Sequence, residues 1–396
     1  MLPYYLYSTL PELELHKLWA EIDTENLLYN YKLLSSLTPG TRHICAVKAD
    51  AYGHASELCI RILLKAGCSF FAVSCIEEAI SVRSICRLEN KDADILILGY
   101  TDTRQAELLA KNDIIQALVS EEYARKLNTD AEAKNCTVRA HVALDTGMNR
   151  IGIHAQDEKS CQSAAKAVGE IVRYSNLSVE GMFTHFARAD EEIEAVNAPD
   201  SHVKKQFARF LAVKRALEQH GIRLFCHVCN SAAALRFPEY RLDGVRFGIM
   251  LYGVPPSRFC EAITKPVMSL HTVISHVHDL KVGESVGYGG SYRADCPRKI
   301  ATLPIGYADG FLRAYQGYHV TVQTVHGNFK APVVGRVCMD QCMIDVTGLP
   351  VEIEDKVTIF GSDPRDLSTL AGLAGTIEYE VLCLISARVP RIPKEK

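Results

Sequence analysis

The chain has 396 residues, a formal net charge of −3 and 48% hydrophobic residues, which is typical of a globular protein. This length allows two domains, and the nearly balanced charge excludes the basic surface of a nucleic-acid-binding protein. No segment reaches the ~18 consecutive apolar residues of a membrane span. Because many of the 14 cysteines lie in apolar segments, we interpret them as reduced side chains of a cytoplasmic protein.

Residues 18–262 alternate short apolar strands with amphipathic helices. The eight predicted strands cover residues 44–47, 70–74, 95–99, 114–119, 138–144, 179–183, 224–228 and 242–246. Short, continuously apolar runs are typical of buried parallel strands. Eight of them alternating with helices predict a (β/α)8 TIM-like barrel, and an open doubly wound sheet is the alternative.

The pattern changes after the proline-containing segment 251–256, and residues 263–396 are rich in strands. Strands are predicted at 267–278, 299–304, 320–325, 330–334, 338–346 and 357–360, with a hairpin turn at 326–328. The predicted fold is therefore α/β, with an N-terminal barrel and a C-terminal mostly-β domain. Residues 1–17 form an N-terminal segment that we expect to associate with the β domain.

A lysine, Lys48, directly follows the first barrel strand. Active sites of such barrels lie at the carboxyl ends of the strands, and a lysine amine is suited to Schiff-base chemistry with an aldehyde cofactor. An isolated strand-end lysine is more often a solvated charge. The functional interpretation therefore depends on the ends of the other strands.

Polar residues follow several of those strands, at 145–150, 184–186, 230–232 and 246–249. Taken singly, His185 is typical of a structural histidine, Ser231 of a helix cap and Arg246 of a surface arginine before a turn. Strand ends on one face of a barrel converge, so we expect these groups to line one pocket. Tyr52, the Ser231 hydroxyl and backbone N–H groups at Gly248 and Ile249 are candidate phosphate donors.

The β domain contains four motifs of tyrosine, glycine and charged residues, at 286–290, 306–310, 335–341 and 379–381. A glycine-flanked tyrosine usually packs in a turn, but four such motifs in one small domain suggest a surface that faces a site. Cys226 and Cys229 have CxxC spacing without a second ligand pair, so no metal site is predicted.

With these motifs the chain resembles the alanine racemases, which are pyridoxal 5'-phosphate enzymes. The resemblance extends from Trp19 to Arg391 and is carried by AVKADAYGH, DTGMNRIG, THFA, NSAA, VRFGIMLYG, GYGGSY, PIGYADGF, GRVCMDQ and YEVLCLISARVPR. It implies interconversion of L-alanine and D-alanine, which supplies D-alanine for peptidoglycan. It also implies a homodimer with shared active sites and a small amino-acid substrate.

The resemblance also implies a role for individual residues. Lys48 would carry the cofactor and act as one catalytic base, and Tyr288 would be the second base, contributed by the partner subunit. Arg246 would face the pyridine nitrogen, and His185 would orient that arginine. The implied cofactor-binding residues are Lys48, Tyr52, Arg150, His185, Asn230, Ser231, Arg246, Gly248, Ile249 and Tyr379. The implied substrate-binding residues are Arg150, Met339, Asp340 and Tyr307.

One position departs from the family pattern. Many members carry a carbamylated lysine two residues before the aspartate of the DTGM motif, whereas this chain has Ala143. We therefore expect a different support for Arg150, either an anion or another side chain.

Three alternative functions share parts of this pattern. A serine racemase of the same fold has the same motifs, but the tyrosine at position 379 favours a methyl side chain. A pyridoxal-phosphate carrier would lack the β domain. A decarboxylase of this architecture would place an acidic group at the ring nitrogen, where this chain has Arg246.

Overall fold

The computed structural model describes residues 16–261, 263–361, 363 and 365–394. Within this range the chain divides into two compact units. One consists of residues 25–51 and 55–265, and the other combines residues 16–24, 52–54 and 266–394.

The strands of both units are short, and most of those in the first unit are largely buried. They are β1 Leu18–Ile22, β2 Arg42–Ala46, β3 Phe70–Val73, β4 Asp94–Ile97, β5 Ile115–Leu118, β6 Val138–Asp145, β7 Ile153–His154, β8 Leu177–Phe183, β9 Phe225–Cys229, β10 Gly244–Phe247, β11 Met268–Val273, β12 His276–Leu280, β13 Ser285–Val286, β14 Tyr292–Arg293, β15 Arg298–Leu303, β16 His319–Thr324, β17 Gly327–Val334, β18 Cys342–Asp345, β19 Lys356–Phe360 and β20 Arg391–Pro393.

The first unit is a closed parallel barrel, which confirms the predicted fold class. Its strands follow the order β2-β3-β4-β5-β6-β8-β9-β10, and parallel pairing of β10 with β2 and of β5 with β6 closes the ring. All eight barrel strands lie where the sequence predicts them, within a few residues. Ile44, Phe70, Leu96 and Ile115 pack together as one buried apolar cluster, so the barrel is filled by side chains.

Both units contain helices, and some of these helices begin at a side-chain cap. The helices are α1 Thr24–Leu37, α2 Lys48–Gly53, α3 Ser56–Lys65, α4 Ile76–Leu88, α5 Ala106–Lys111, α6 Glu121–Ala133, α7 Glu158–Ile171, α8 Ile193–Asn197, α9 His202–Gln219, α10 Ser231–Arg236, α11 Asp366–Ala374 and α12 Glu378–Cys383. Ser120 caps α6, and Asp157 forms a capping box with Ser160 on α7. No helix among the described residues is long and apolar enough to span a membrane.

The second unit contains a nine-stranded sheet in the order β12-β15-β18-β17-β16-β19-β11-β1-β20, as the predicted mostly-β domain requires. The expected domain boundary at residue 18 assigned β1 to the barrel. In the structure β1 instead pairs antiparallel with β11 and parallel with β20. Since β11 and β20 are strands of this sheet, β1 belongs to the second unit. Residues 1–15 of the predicted N-terminal segment lie outside the described residues.

Two predicted strands of this unit are shorter than expected. The segment 267–278 is divided between β11 and β12, because β11 pairs with β1 and β19 while β12 pairs with β15. Residues 338–341 are a turn and only 342–345 form a strand. The hairpin is confirmed, but its turn is Val325-His326, because Gly327 and Asn328 already pair with Thr324 and Gln323 in the β16–β17 ladder.

Candidate active site

The backbone after Lys48 adopts an uncommon conformation. Ala49, Asp50, Ala51 and Tyr52 have φ between 51 and 56°, so α2 is a left-handed turn. Left-handed backbone is disfavoured for residues with a Cβ atom, and runs of it persist only where surrounding interactions hold them. The amino-acid sequence contains no signal for this run of left-handed residues.

Positive charge is concentrated around His185 in the barrel unit. Burial lowers the pKa of His185 well below its usual value, and the charges of Arg246, Arg150 and Lys48 lower it further. These four predicted residues are therefore close enough to influence one another. The imidazole is neutral at physiological pH, and the three cations make the site attractive to anionic groups.

Arg246 is buried and held by neutral acceptors. Its Nη1 donates to His227 Nδ1 at 2.8 Å and to the His227 carbonyl at 2.7 Å, while Nη2 donates to the carbonyls of Thr184 and Val228. Burial lowers its pKa to about 10 and nearby Arg150 lowers it too, so the guanidinium stays charged at neutral pH. Nε donates to none of the described residues, which leaves one donor for an acceptor in the site.

The histidine closest to Arg246 is His227, whereas the sequence assigned the orienting role to His185. His185 Nδ1 is 3.4 Å from Arg246 Nη2, a longer contact than that of His227. Because arginine only donates, His227 Nδ1 accepts and its Nε2–H donates to His141 Nδ1 at 3.0 Å. Sequence reasoning missed His227 and His141; the only available signal was a histidine within each of two apolar strands.

Helix α9 supports the loop that ends in Arg150. The buried Gln206 amide donates to the His185 carbonyl at 2.9 Å and to Thr146 Oγ1 at 3.3 Å, so it joins the loops after β6 and β8. Arg209 Nη1 donates to the Thr146 carbonyl at 2.7 Å. These α9 residues could not be identified from the sequence, since a polar residue within a helix is usually solvated.

Ala143, at the position that departs from the family pattern, has an apolar environment. It is buried with Ala117 and Phe183, and Leu98 and Val119 pack against this cluster. The Arg150 side chain is exposed and forms no hydrogen bond with other described residues. The surroundings of Ala143 therefore contribute no charged support for Arg150.

Three of the predicted phosphate donors, Ser231, Gly248 and Ile249, lie together at the ends of β9 and β10. Gly248 N–H donates to Ser231 Oγ at 2.9 Å, so this N–H is already bonded and the serine hydroxyl proton remains available to an acceptor. Ile249 begins a short 3-10 helix, whose first N–H groups have no partner within the helix. Asn230 caps Ala233 N and donates to the Phe186 carbonyl, which makes it a support for this turn.

In the second unit, the Tyr52 and Tyr379 rings are neighbours. Their centroids are 6.2 Å apart with planes inclined at 57°. Burial raises the pKa of the Tyr52 phenol well above its ordinary value, and Cys383 raises it further. Tyr52 is therefore protonated at neutral pH and is a potential hydrogen-bond donor.

Tyr288 lies in the second unit, in an open cavity of about 650 Å³. Met339 and Asp340 line the same cavity, and Tyr288 is 71% exposed. Tyr307 N–H donates to the Cys338 carbonyl at 3.0 Å, which places the predicted Tyr307 beside this segment.

Arg388 was not assigned a role from the sequence. Its guanidinium bridges Asp309 and Asp340, with both N–O distances at 2.6 Å. Arg388 thereby fixes the Asp340 carboxylate to the turn that carries Tyr307.

A parallel barrel with a strand-end lysine among arginines, joined in one chain to a β-rich unit, defines the class of barrel-type amino-acid racemases. The alanine racemase N-terminal domain family matches residues 22–256 and the C-terminal domain family matches residues 267–393. The chain therefore belongs to the alanine racemase family.

Individual relatives extend over nearly the whole chain. Alanine racemase 1 of Clostridium acetobutylicum is 39% identical over 94% of each chain. The solved alanine racemase of Clostridium difficile 630 is 34% identical over 96% of each chain, with a TM-score of 0.87. The histidine racemase of Leuconostoc mesenteroides has a TM-score of 0.83 at 26% identity, over 96% of this chain and 99% of its own.

Proposed function

We propose that this protein is an alanine racemase that interconverts L-alanine and D-alanine, supplies D-alanine for peptidoglycan, and uses pyridoxal 5'-phosphate bound to Lys48. The observation that carries the proposal is the cluster of Lys48, Arg150 and Arg246 around a neutral His185. This cluster has the charge to accept an anionic cofactor and a substrate carboxylate together. The family membership supports the same reaction.

The residues fit the proposed cofactor. The one unengaged donor of Arg246 suits the ring nitrogen, and the available Ser231 hydroxyl and the Ile249 N–H suit the phosphate. Lys48 supplies the amine that binds the aldehyde. When bound, this cofactor stabilises negative charge at the α-carbon of an amino acid.

Lys48 and Tyr288 of the partner subunit would then move the proton on opposite faces of the α-carbon. A proton removed on one face and returned on the other inverts the configuration. Arg246 is charged and retains its protons at neutral pH, so it favours an unprotonated ring nitrogen. That preference limits proton return at the wrong carbon and so disfavours transamination.

The test of the reaction is loss of optical activity of L-alanine and, separately, of L-serine. We expect rapid loss of optical activity with L-alanine and slower but measurable loss with L-serine. Serine should still react because an apolar pocket discriminates only weakly against one added hydroxyl. Borohydride treatment followed by peptide mapping should place the cofactor on the peptide containing Lys48. Unchanged rotation of L-alanine in cofactor-loaded protein, or label on a different lysine, contradicts the proposal.

We propose a homodimer with shared active sites, which is supported by the exposed position of Tyr288 and is tested by subunit exchange. Lys48→Ala and Tyr288→Phe should each be nearly inactive alone. Random exchange between equal amounts makes about half of the dimers hybrid, and each hybrid regains one intact site, so roughly a quarter of all sites become active. Exchange is verified with differently tagged chains. Hybrids without recovered activity would exclude a shared site.

A further inference from the structure

The left-handed turn after Lys48 is held at its start by a glutamate from another barrel segment. Glu78 Oε1 accepts from Ala49 N–H at 2.7 Å, and Glu78 Oε2 accepts from Ser74 N–H at 2.8 Å. One carboxylate therefore connects the segment that carries Lys48 to the end of β3. The two bonds are charge-assisted, which makes them stronger than neutral hydrogen bonds.

This carboxylate occupies the place where the pairing of β2 and β3 ends. The last ladder bond on this side runs from Val47 N–H to the Ala72 carbonyl at 3.0 Å. Ala49 N–H and Ser74 N–H lie beyond it, and the turn of the backbone after Lys48 prevents them from continuing the ladder. Glu78 satisfies both donors at once and so fixes the distance between the two strand ends.

The far end of the turn is held separately. Asp50 Oδ1 accepts from Ser56 N–H at 2.7 Å, and Ala51 N–H donates to the Val47 carbonyl at 3.0 Å. Of these ties, that of Glu78 is the one that binds the backbone directly after Lys48 to the end of another strand. Loss of Glu78 therefore releases the start of a turn whose conformation is intrinsically disfavoured.

We propose that Glu78 is a positioning residue that holds the Lys48 backbone, and with it the Lys48 amine, in the arrangement needed to bind the aldehyde cofactor. This inference rests on the proposed role of Lys48. Glu78 acts through backbone N–H groups and touches neither cofactor nor substrate. Its loss therefore changes how readily Lys48 reacts and leaves the substrate contacts in place.

The test compares Glu78→Gln with Glu77→Gln. Both side chains belong to the first turn of α4, so both substitutions remove one negative charge near the same helix terminus. The glutamine at 78 keeps one acceptor but turns its NH2 group toward the second N–H. Glu78→Asp is the second variant, since it keeps the charge and is too short to reach both donors.

Cofactor-free protein is titrated with pyridoxal phosphate, and the visible absorbance of the lysine-bound cofactor is followed at several pH values. We expect Glu78→Gln to bind pyridoxal phosphate about tenfold more weakly, because one charge-assisted bond is lost. The pH midpoint of the absorbance of the lysine-bound cofactor should also shift. Racemase kcat should fall while KM changes less than twofold. Glu77→Gln should match the unsubstituted protein, and Glu78→Asp should lie between the two.

Circular dichroism establishes whether each variant is folded. If Glu78→Gln does not fold, Glu78→Asp is compared with Glu77→Gln instead. Equal cofactor affinity and pH midpoint in the position-78 and position-77 variants would overturn the inference. A failure of the proposed function is distinguishable, because the unsubstituted protein itself would then bind no cofactor at Lys48 or leave alanine unchanged.

Discussion

Replacement of His227 tests whether the buried histidine pair holds Arg246. His227 has no exposed surface, and its ring lies between Arg246 and His141. His227→Phe keeps a planar ring that can stack on Phe183, whose centroid is 5.0 Å away, but removes both ring nitrogens. His227→Asn restores an acceptor near the position of Nδ1 and lacks the group that reaches His141.

The expected cost follows from the bonds that each variant loses. His227→Phe leaves His141 Nδ1 without its donor, at about 1–3 kcal/mol, and removes one acceptor of a charged group, at about 1.5–3 kcal/mol. Arg246 retains the carbonyls of residues 184, 227 and 228, so the lower values apply. We expect a loss of ~2.5–4 kcal/mol of unfolding free energy for His227→Phe and about half of that for His227→Asn.

Denaturant unfolding at pH 7, followed by circular dichroism, measures these differences. Racemase kcat should fall by about tenfold or more in His227→Phe, because the guanidinium gains freedom to move, and His227→Asn should recover part of it. His185→Phe is the comparison variant, since it removes the longer contact of 3.4 Å between His185 Nδ1 and Arg246 Nη2. If His227→Phe were as stable and active as the unsubstituted protein, the histidine pair would not be what holds Arg246.

Three further outcomes are expected. Burial lowers the pKa of His141 to about 3 from an ordinary 6.5, so the unfolded chain binds a proton that the folded state excludes. His141 should therefore contribute ~1.4 kcal/mol per pH unit to the fall in unfolding free energy as pH falls below about 6.5. His141→Phe should reduce the slope by this amount in denaturant unfolding at pH 5, 6 and 7. Tyr379→Asn should improve kcat/KM for serine relative to alanine by ~1–2 kcal/mol, while Tyr379→Phe, which keeps the ring, should leave the ratio unchanged; equal ratios in both would exclude Tyr379 as a determinant. Gly53→Ala should lower the melting temperature more than Gly40→Ala, since both have positive φ but only at Gly53 would the new Cβ lie 2.5 Å from a carbonyl oxygen, that of Leu382; the reverse order would show that backbone crowding at Gly53 is relieved by movement.

The barrel could be predicted from the sequence because its strands are short, mostly apolar segments that are followed by polar residues. The spacing of apolar residues that distinguishes a strand from a helix is a local property of the sequence. Each strand could therefore be located without knowledge of the strands that it pairs with. The pairing of β1 could not be predicted in the same way. Leu18–Ile22 is as apolar as a barrel strand, and only its partners β11 and β20, far along the chain, assign it to the other sheet.

The site could be predicted from the sequence only where the type and position of a single residue indicate its role. A strand-end lysine and the polar residues at neighbouring strand ends could be identified because position along a strand determines which end of the barrel they reach. His227, Gln206 and Glu78 could not, because each acts through a contact that depends on the closed barrel. A histidine in a strand or a glutamate in a helix has no local feature that distinguishes a positioning role from a solvated one.

The way in which Arg246 is held explains how the barrel end can keep its positive charge. A buried cation is usually paired with a carboxylate, yet the acceptors of Arg246 are backbone carbonyls and imidazole nitrogens. Neither Arg150 nor Arg246 forms an ion pair within the described part of the chain. Carbonyl dipoles stabilise the guanidinium without cancelling its charge, so the field remains available to an incoming phosphate or carboxylate. A carboxylate at position 227 would fix the same guanidinium and remove that field, which is why a neutral histidine is the appropriate partner.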